Sequence, residues 1–321
     1  MILPKIILLD LDETIHFSEE MKVKAWTVIL KPFGYCWEEE SIDGLTSVPK
    51  DQRPKSGLSP YDFIITLIDN LGLLNKSIEL FRENLTQDEI KYRLELTSIF
   101  LTQDKQEKMI EIIKNYWSVS LIDEARRFAE EGKIKEVSGA VEAIMSAHEK
   151  RYKIGIVTQA PKEYAEIVLK SLGLLNEGQN NFIDAVVSGD MVENPKPAPD
   201  SLIKAMDLIY QQEAIETEET KFGKKLLPEK GLEIRNQIHE EYFGSHETVY
   251  PSPVAVVGDS ESDIKAGRSY PGTNRIKTIL INSGGLSQDE IGKIKPDFTI
   301  NHFRELLPRL EGIMFRKIEV K

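Results

Sequence analysis

Cysteine is nearly absent from this chain of 321 residues, which contains only Cys36. A single cysteine excludes an intramolecular disulfide and a zinc site built from cysteines, and it fits a reducing compartment. Long hydrophobic runs are missing as well, because Asp10 and Asp12 interrupt the N-terminal apolar stretch and no run approaches the roughly eighteen residues of a membrane span. We therefore expect a soluble, cytoplasmic protein with no membrane partner.

Positive charge is scarce relative to negative charge. The chain has 41 Lys and Arg against 53 Asp and Glu, which gives a formal net charge of -12 at pH 7. Such a chain repels a nucleic-acid backbone or an anionic membrane at long range, so we expect neither as the main partner. A small anionic substrate is compatible with this charge if a metal or a local cation neutralises it. With 40% hydrophobic residues, the chain can form one large or two moderate globular domains.

A short apolar run near the N-terminus leads directly into three polar side chains. Ile-Ile-Leu-Leu at residues 6–9 precedes Asp10, Asp12 and Thr14. A run of this kind predicts a strand buried on both faces of a parallel sheet. Because Asp10 and Asp12 are two residues apart, they should leave the strand end on the same side, in the crevice at the carboxyl edge of the sheet. That geometry suits a divalent metal and a phosphate, although the pattern alone is common in acidic turns.

Strands and helices alternate after Val137, and this pattern predicts an α/β fold with a doubly wound parallel sheet. Between the first strand and Val137, about 120 residues keep helical periodicity. We therefore predict an α-helical domain of residues 16–135, inserted into a core of residues 1–15 and 136–321. The predicted strands after the first are 153–157, 185–188, 254–257, 278–282 and, at an edge, 297–300; the predicted helices are 19–33, 60–74, 77–100, 104–130 and 161–172.

An acidic insert at about 211–250 is dense in charge and poor in apolar residues. Residues 213–225 alternate acid and base, which predicts a solvated helix or a mobile excursion. His239 and His246 lack the close spacing and the cysteines of a metal site, so we interpret them as surface histidines. We assign no chemistry to this insert and hypothesise that it offers a surface to a protein partner.

Two further segments place polar groups where an anion can bind. Thr158 ends the second predicted strand and Pro161 marks the start of the next helix, so the hydroxyl and the N–H groups of the helix start would form an anion site. Taken alone, Thr158 would be interpreted as a helix cap. Lys196 lies in Asn-Pro-Lys-Pro-Ala-Pro-Asp, where the prolines restrict the direction of the ammonium. This setting favours a phosphate or a carboxylate as its partner.

The last polar segment follows the predicted strand 254–257. This strand delivers Asp259 to the same edge of the sheet, and Gly258 permits a close approach of the backbone. Hard oxygen ligands on rigid strand ends fit Mg²⁺. Asp263 falls near the first turn of the next helix and could serve only as a cap. We predict instead that it hydrogen-bonds to Lys196 or to a metal-bound water.

Together these segments resemble the four motifs of the haloacid dehalogenase superfamily of aspartyl phosphotransferases, in order and across the whole core. The helical insertion resembles the cap of the subgroup that contains phosphoglycolate phosphatase and β-phosphoglucomutase, with Ser18-Glu19 and Ala25-Trp26 similar to its start. The resemblance implies a Rossmann-like core with a helical cap. The matching positions are Asp10-Leu11-Asp12-Glu13-Thr14 for the first motif, Thr158 for the second, Lys196 for the third, and Gly258-Asp259-Ser260 with Asp263 for the fourth.

Three features depart from the family pattern. Glu13 stands where glycine is usual, and Gln159 stands where Asn or Ser is usual. The insert before Asp259 is also longer than expected. The first two bear on substrate identity more than on chemistry, because both positions tend to act through backbone groups.

The resemblance implies a phosphoric monoester hydrolase with Asp10 as the nucleophile that becomes an aspartyl-phosphate. Asp12 would act as general acid and then as general base. Mg²⁺ would be bound by Asp10, the Asp12 carbonyl and Asp259. The remaining implied roles are phosphate binding for Thr14, Thr158, Gln159 and Lys196, support from Asp263, and substrate selection by the cap residues Trp26 and Arg53.

We favour a phosphatase that acts on a small phosphorylated metabolite. A phosphomutase would use the same carboxylates, and a regulatory or binding protein could have kept the site without useful turnover. The acid at Asp12 argues against dehalogenation, which needs no proton on its leaving group. The acid at Asp12 argues against a pumping ATPase as well, for which we expect the chain to be too short and too soluble.

Overall fold

The computed structural model describes residues 5–30, 105–176, 181–222, 253–271, 276–283 and 285–314. The chain forms two compact units, one of Met1–Phe17 with Ile134–Lys321 and one of Ser18–Lys133. Of the predicted helices in the second unit, those at 60–74 and 77–100 lie outside the described residues. The cap role of this unit stays a prediction.

Six strands form a single sheet in the first unit, and each of them is parallel to its neighbours. Strand β1 lies in the interior of the sheet between β2 and β4, and β6 lies at an edge as predicted. The predicted doubly wound parallel sheet is therefore confirmed. The strands are β1 Lys5–Leu9, β2 Tyr152–Val157, β3 Ala185–Val187, β4 Val254–Gly258, β5 Ile276–Ile281 and β6 Phe298–Ile300, in the order β3-β2-β1-β4-β5-β6.

The central strand is apolar because both of its faces are covered. The side chains of residues 6–9 are at most 1% exposed, as the run of four aliphatic residues predicts. Leu9 is in register with Ile156 of β2 and with Val257 of β4, so the three strands end at the same level. The residues that follow these strands therefore emerge side by side at the carboxyl edge of the sheet.

Helices flank the strands along the chain. They are α1 Glu19–Leu30, α2 Lys105–Glu130, α3 Ala140–Glu149, α4 Lys162–Ser171, α5 Asp200–Phe222, α6 Glu261–Ser269, α7 Gln288–Ile294 and α8 Leu306–Met314. In the second unit α1 and α2 pack against each other. None of the helices in the described ranges has both the length and the hydropathy that a membrane crossing requires.

The predicted acidic insert begins within helix α5. It packs on β2 and β3 through Leu202, Met206 and Ile209, all at most 1% exposed. The helix continues to Phe222, so the first part of the predicted insert is helical. The rest of the predicted insert, with His239 and His246, lies outside the described residues.

Candidate active site

The carboxyl edge of the sheet brings together the polar residues that follow three strands. Asp10 follows β1, Thr158 follows β2 and Asp259 follows β4. Backbone hydrogen bonds continue past the strand ends, since the Asp10 N–H donates to Val257 and the Thr158 N–H donates to Val187. These bonds fix the backbone of Asp10 and Thr158 at the point where the chain leaves the sheet.

Lys196 is the cationic centre of this site. Its Nζ atom donates to Asp10 Oδ1 at 2.5 Å, to Asp263 Oδ1 at 2.6 Å and to the Val157 carbonyl at 2.9 Å. These three bonds use all the hydrogens of the ammonium. The residue is only 7% exposed. The structure thus assigns carboxylate partners to a lysine that the sequence left open between phosphate and carboxylate.

Asp263 combines the two roles between which the sequence left a choice. It is the third residue of α6, and its Oδ2 accepts from the Ser260 N–H at 3.1 Å and from the Ser260 hydroxyl at 2.5 Å, which makes a capping box. Its Oδ1 accepts from Lys196. A Cβ atom on Gly258 would collide with the Asp263 carboxylate, so the predicted close approach at this glycine is confirmed.

Three carboxylates form a group suited to a hard cation. Asp10, Asp259 and Asp263 each offer an oxygen, and these oxygens lie within 4.8 Å of one another. Hard oxygen donors of this kind fit Mg²⁺. The Thr14 hydroxyl is buried and donates to Asp259 Oδ1 at 3.2 Å. It therefore orients one of the candidate ligands, a contact that the phosphate-binding role predicted for Thr14 did not include.

The charges in this group are out of balance. Burial raises the pKa of Asp10 to about 7, against the attraction of Lys196 and with a further contribution from the Asp263 and Asp12 carboxylates. Burial also disfavours the charge on Lys196, but Asp10 and Asp263 outweigh it and raise the pKa of the ammonium. One ammonium thus faces several carboxylates. A divalent cation would offset the excess negative charge and favour the ionised form of Asp10.

The Asp12 carboxylate has partners that sequence reasoning missed. His16 Nε2 lies 3.0 Å from Asp12 Oδ1, and the Tyr164 hydroxyl donates to the same oxygen at 2.8 Å. The His16 and Tyr164 atoms lie 2.9 Å apart. One signal was present in the sequence, because His16 follows Asp12 by four residues and lies between the apolar residues Ile15 and Phe17. Nothing in the sequence alone pairs it with Tyr164 on α4.

Three other predicted positions make local contacts. The Thr158 hydroxyl accepts from the Ala160 N–H at 3.0 Å, just before the helix that begins after Pro161. The Gln159 side chain donates to the Lys196 carbonyl at 2.5 Å, so this side chain supports the lysine segment. Glu13 has φ of 57°, a left-handed conformation that explains why glycine is usual at this position.

The structure describes one of the two cap residues predicted to select the substrate. Trp26 lies on α1 in the second unit and is partly buried. Arg53 lies outside the described residues. Substrate selection by these two residues stays a prediction.

The fold and the site define an α/β protein with a Rossmann-like parallel sheet and an acidic site at its carboxyl edge. A family model described as haloacid dehalogenase-like hydrolase matches residues 61–222, which is half of the chain. The chain belongs to this family.

Curated relatives are similar over part of their length. The chain is 26% identical over 174 residues to the pyrophosphatase PpaX of Halalkalibacterium halodurans, a match that covers 54% of this chain and 59% of that protein. It is 29% identical over 180 residues to PpaX of Bacillus cereus strain AH820, a match that covers 56% of this chain and 62% of that protein. The chain thus spans about three fifths of the length of these relatives.

Solved structures agree on the fold. One is a Bacteroides fragilis protein assigned to the haloacid dehalogenase-like hydrolases, with a TM-score of 0.53, 14% identity and coverage of 94% of this chain and 99% of that one. Another is a mutant of CbbY from Rhodobacter sphaeroides in complex with xylulose-1,5-bisphosphate. It has a TM-score of 0.50 and 14% identity, and the match covers 95% of this chain and 96% of that one. At these identities the similarity concerns the fold alone.

Proposed function

We propose that this protein is a magnesium-dependent phosphatase that hydrolyses a small phosphorylated metabolite through an aspartyl-phosphate. One arrangement carries this proposal. Asp10 and Lys196 form a buried pair at a strand end, the Asp259 and Asp263 carboxylates lie beside them, and Asp12 follows two residues after Asp10. Pyrophosphatases among the relatives and a sugar bisphosphate bound to a neighbour of the same fold support a phosphorylated substrate.

In the first step an Asp10 oxygen forms a bond to phosphorus while the bond from phosphorus to the leaving oxygen breaks. Asp12 gives its proton to that oxygen, which departs as an alcohol. Lys196 stays within hydrogen-bonding reach of the nucleophile and stabilises the negative charge of the transferring group. The product of this step is a phosphoryl group on the Asp10 carboxylate.

In the second step a water molecule attacks phosphorus and gives a proton to Asp12. The bond between phosphorus and the Asp10 oxygen breaks, so inorganic phosphate leaves and both carboxylates return to their starting state. One residue serves as acid and then as base, because the proton that it loses in the first step is recovered in the second.

The remaining residues bind and orient. Asp10, Asp259 and the Asp12 carbonyl would hold Mg²⁺, which would supply positive charge against the repulsion between the carboxylates and the phosphate. Thr14, Thr158 and Gln159 would bind the phosphate, and Asp263, which accepts a hydrogen bond from Lys196, would hold the ammonium in place. Substrate selection by Trp26 and Arg53 of the helical unit belongs to the same proposal.

The test combines turnover with trapping of the intermediate. Wild-type protein should release phosphate from 4-nitrophenyl phosphate and from members of a metabolite panel, and EDTA should abolish this activity. Asp10→Asn should lose at least about a hundredfold in turnover. The exposed control Asp123→Asn, which removes a carboxylate on α2, should keep it.

Acid-quenched Asp12→Asn protein should yield a phosphorylated peptide that contains residue 10, since this variant lacks the base for the second step. A protein that binds phosphate esters without EDTA-sensitive turnover, and without this peptide, would be a binding protein instead.

A further inference from the structure

We infer that His16 and Tyr164 are positioning residues for Asp12: they hold its Oδ1 atom so that Oδ2 transfers the proton. This inference rests on the proposed function and adds two residues that the four sequence motifs do not include. Neither side chain is a ligand candidate for the cation, and both act through Asp12.

The three side chains form a closed triangle of short contacts. The distances are 3.0 Å from His16 Nε2 to Asp12 Oδ1, 2.8 Å from the Tyr164 hydroxyl to the same oxygen, and 2.9 Å between the His16 and Tyr164 atoms. His16 and Tyr164 are both 0% exposed, whereas the Asp12 side chain is 13% exposed. The buried pair therefore lies behind a carboxylate that still reaches the surface of the site.

The backbone holds both positioning residues. The Glu13 N–H donates to the His16 carbonyl, and the His16 N–H donates to the Leu11 carbonyl, so the turn after β1 closes around Asp12. Tyr164 lies in the first turn of α4, the helix that follows Thr158. His16 and Tyr164, which are 148 positions apart in the chain, thus meet at one carboxylate oxygen of Asp12.

The surroundings of the two ring nitrogens of His16 identify its tautomer. Within the described residues, the buried His16 Nδ1 atom has no hydrogen-bond partner. A hydrogen on Nδ1 would therefore be a buried donor without an acceptor, which is costly. We assign the hydrogen to Nε2, where Asp12 Oδ1 and the Tyr164 oxygen can accept it. Both neighbours then direct hydrogens toward Asp12.

The chemical consequence is a difference between the two Asp12 oxygens. Oδ1 accepts from two donors, so it is a poor site for a proton. The same bonds fix the rotation of the carboxylate. Asp12 is also absent from the group of close carboxylates formed by Asp10, Asp259 and Asp263. His16 and Tyr164 thereby keep the acid–base carboxylate apart from the cation ligands and available for proton transfer.

A purely structural role for the buried pair makes a different prediction. Loss of packing would lower stability and reduce turnover on all substrates alike. Loss of a positioned acid harms esters with poor leaving groups more than those with good ones, because a 4-nitrophenolate departs without much protonation. The dependence on the leaving group therefore separates positioning from packing.

The kinetic test uses Tyr164→Phe, His16→Leu and His16→Gln, with kcat and KM measured on 4-nitrophenyl phosphate and on phenyl phosphate. Tyr164→Phe should lower kcat about tenfold on phenyl phosphate and less than about threefold on 4-nitrophenyl phosphate, with KM nearly unchanged. His16→Leu should show a larger difference between the two esters in the same direction, and His16→Gln, which restores an N–H donor, should recover part of the lost activity.

The matched control is Tyr152→Phe, which removes a buried hydroxyl at the start of β2, the end of the strand away from Thr158. Equal losses on both esters in folded Tyr164→Phe and His16→Leu would overturn the proposal.

The NMR signal of the His16 ring tests the positioning role independently of turnover. In ¹⁵N-labelled protein the His16 ring, identified among the five histidines by its absence in His16→Leu, should carry its hydrogen on Nε2. That signal should shift in Asp12→Asn and in Tyr164→Phe but not in Tyr152→Phe. A hydrogen on Nδ1, or a signal indifferent to Asp12, would overturn the positioning role. Absence of phosphatase activity in wild-type protein with the expected ring signal would refute the proposed function alone.

Discussion

Gly258 and Asp263 lie so close together that any side chain at residue 258 would occupy the space of the Asp263 carboxylate. This contact joins the end of β4 to the first turn of α6, and it fixes the carboxylate that holds Lys196. The glycine is therefore part of the site although it carries no chemical group.

Gly258→Ala should displace Asp263 and weaken its bond to Lys196. We expect a destabilisation of about 1–3 kcal/mol from overpacking, together with a loss of turnover of about tenfold or more. Thermal unfolding and phosphatase kinetics measure the two effects. Gly292→Ala is the control, because a Cβ at this helical position of α7 meets nothing within 4 Å and should be neutral or slightly stabilising. Wild-type turnover in Gly258→Ala would mean that the Asp263 position is not critical.

Lys196→Met should leave two carboxylates without their cation. Breaking a buried pair in this way typically costs about 3–5 kcal/mol, so we expect a clear loss of stability at neutral pH and turnover too low to measure reliably. The comparison is Lys162→Met, which breaks an exposed 3.7 Å pair with Glu166 and should change the free energy of unfolding by less than about 1 kcal/mol. Similar effects of both substitutions would contradict the central role of Lys196.

Magnesium should stabilise the folded protein, because Asp10, Asp259 and Asp263 are brought close together only in that state. At a concentration a hundredfold above the dissociation constant, a single site contributes about 2.7 kcal/mol, which is readable as a rise in Tm. Asp259→Asn should reduce this rise strongly, and the exposed Asp123→Asn should leave it intact. An equal response of the two variants would place the cation elsewhere.

The acidic insert should be dispensable for chemistry. Helix α5 packs on β2 and β3 and ends at Phe222, and β4 begins at Val254. Replacing residues 223–246 by a short Gly/Ser linker should keep kcat/KM within a few-fold of wild type, because every proposed site residue lies outside the excised segment. A folded linker variant with altered substrate preference would show that the insert reaches the site.

Trp26→Ala should change selectivity among phosphate esters rather than abolish hydrolysis. The residue lies on α1 of the second unit, outside the four motifs. The measurement is kcat/KM on several esters, with Arg53→Ala compared in parallel. A uniform loss across all esters would argue against a selective role for Trp26.

The positions of the strands could be predicted from the sequence, because short aliphatic runs that alternate with helical segments favour buried parallel strands, and Asp10 and Asp259 directly follow two of these runs. β1, β2 and β4 all fell within two residues of their predicted bounds. Contacts made by side chains on separate elements could not be read in this way. The Thr14 bond to Asp259 and the meeting of Tyr164 with His16 depend on how α4 and the turn after β1 pack. Periodicity and spacing contain no information on that packing.

The fully engaged ammonium of Lys196 has a consequence for the order of events. With each of its hydrogens already committed to an acceptor, it can bind an incoming phosphoryl oxygen only by releasing or sharing one of them. Asp10 is the acceptor whose charge vanishes in the proposed reaction, since a phosphorylated carboxylate no longer carries its own negative charge. The lysine would then follow the charge from the carboxylate to the phosphoryl group, and back again on hydrolysis. The hydrogen bond from Lys196 to Asp10 would therefore weaken, and its bond to the transferring phosphoryl group would strengthen, as the new bond to phosphorus forms.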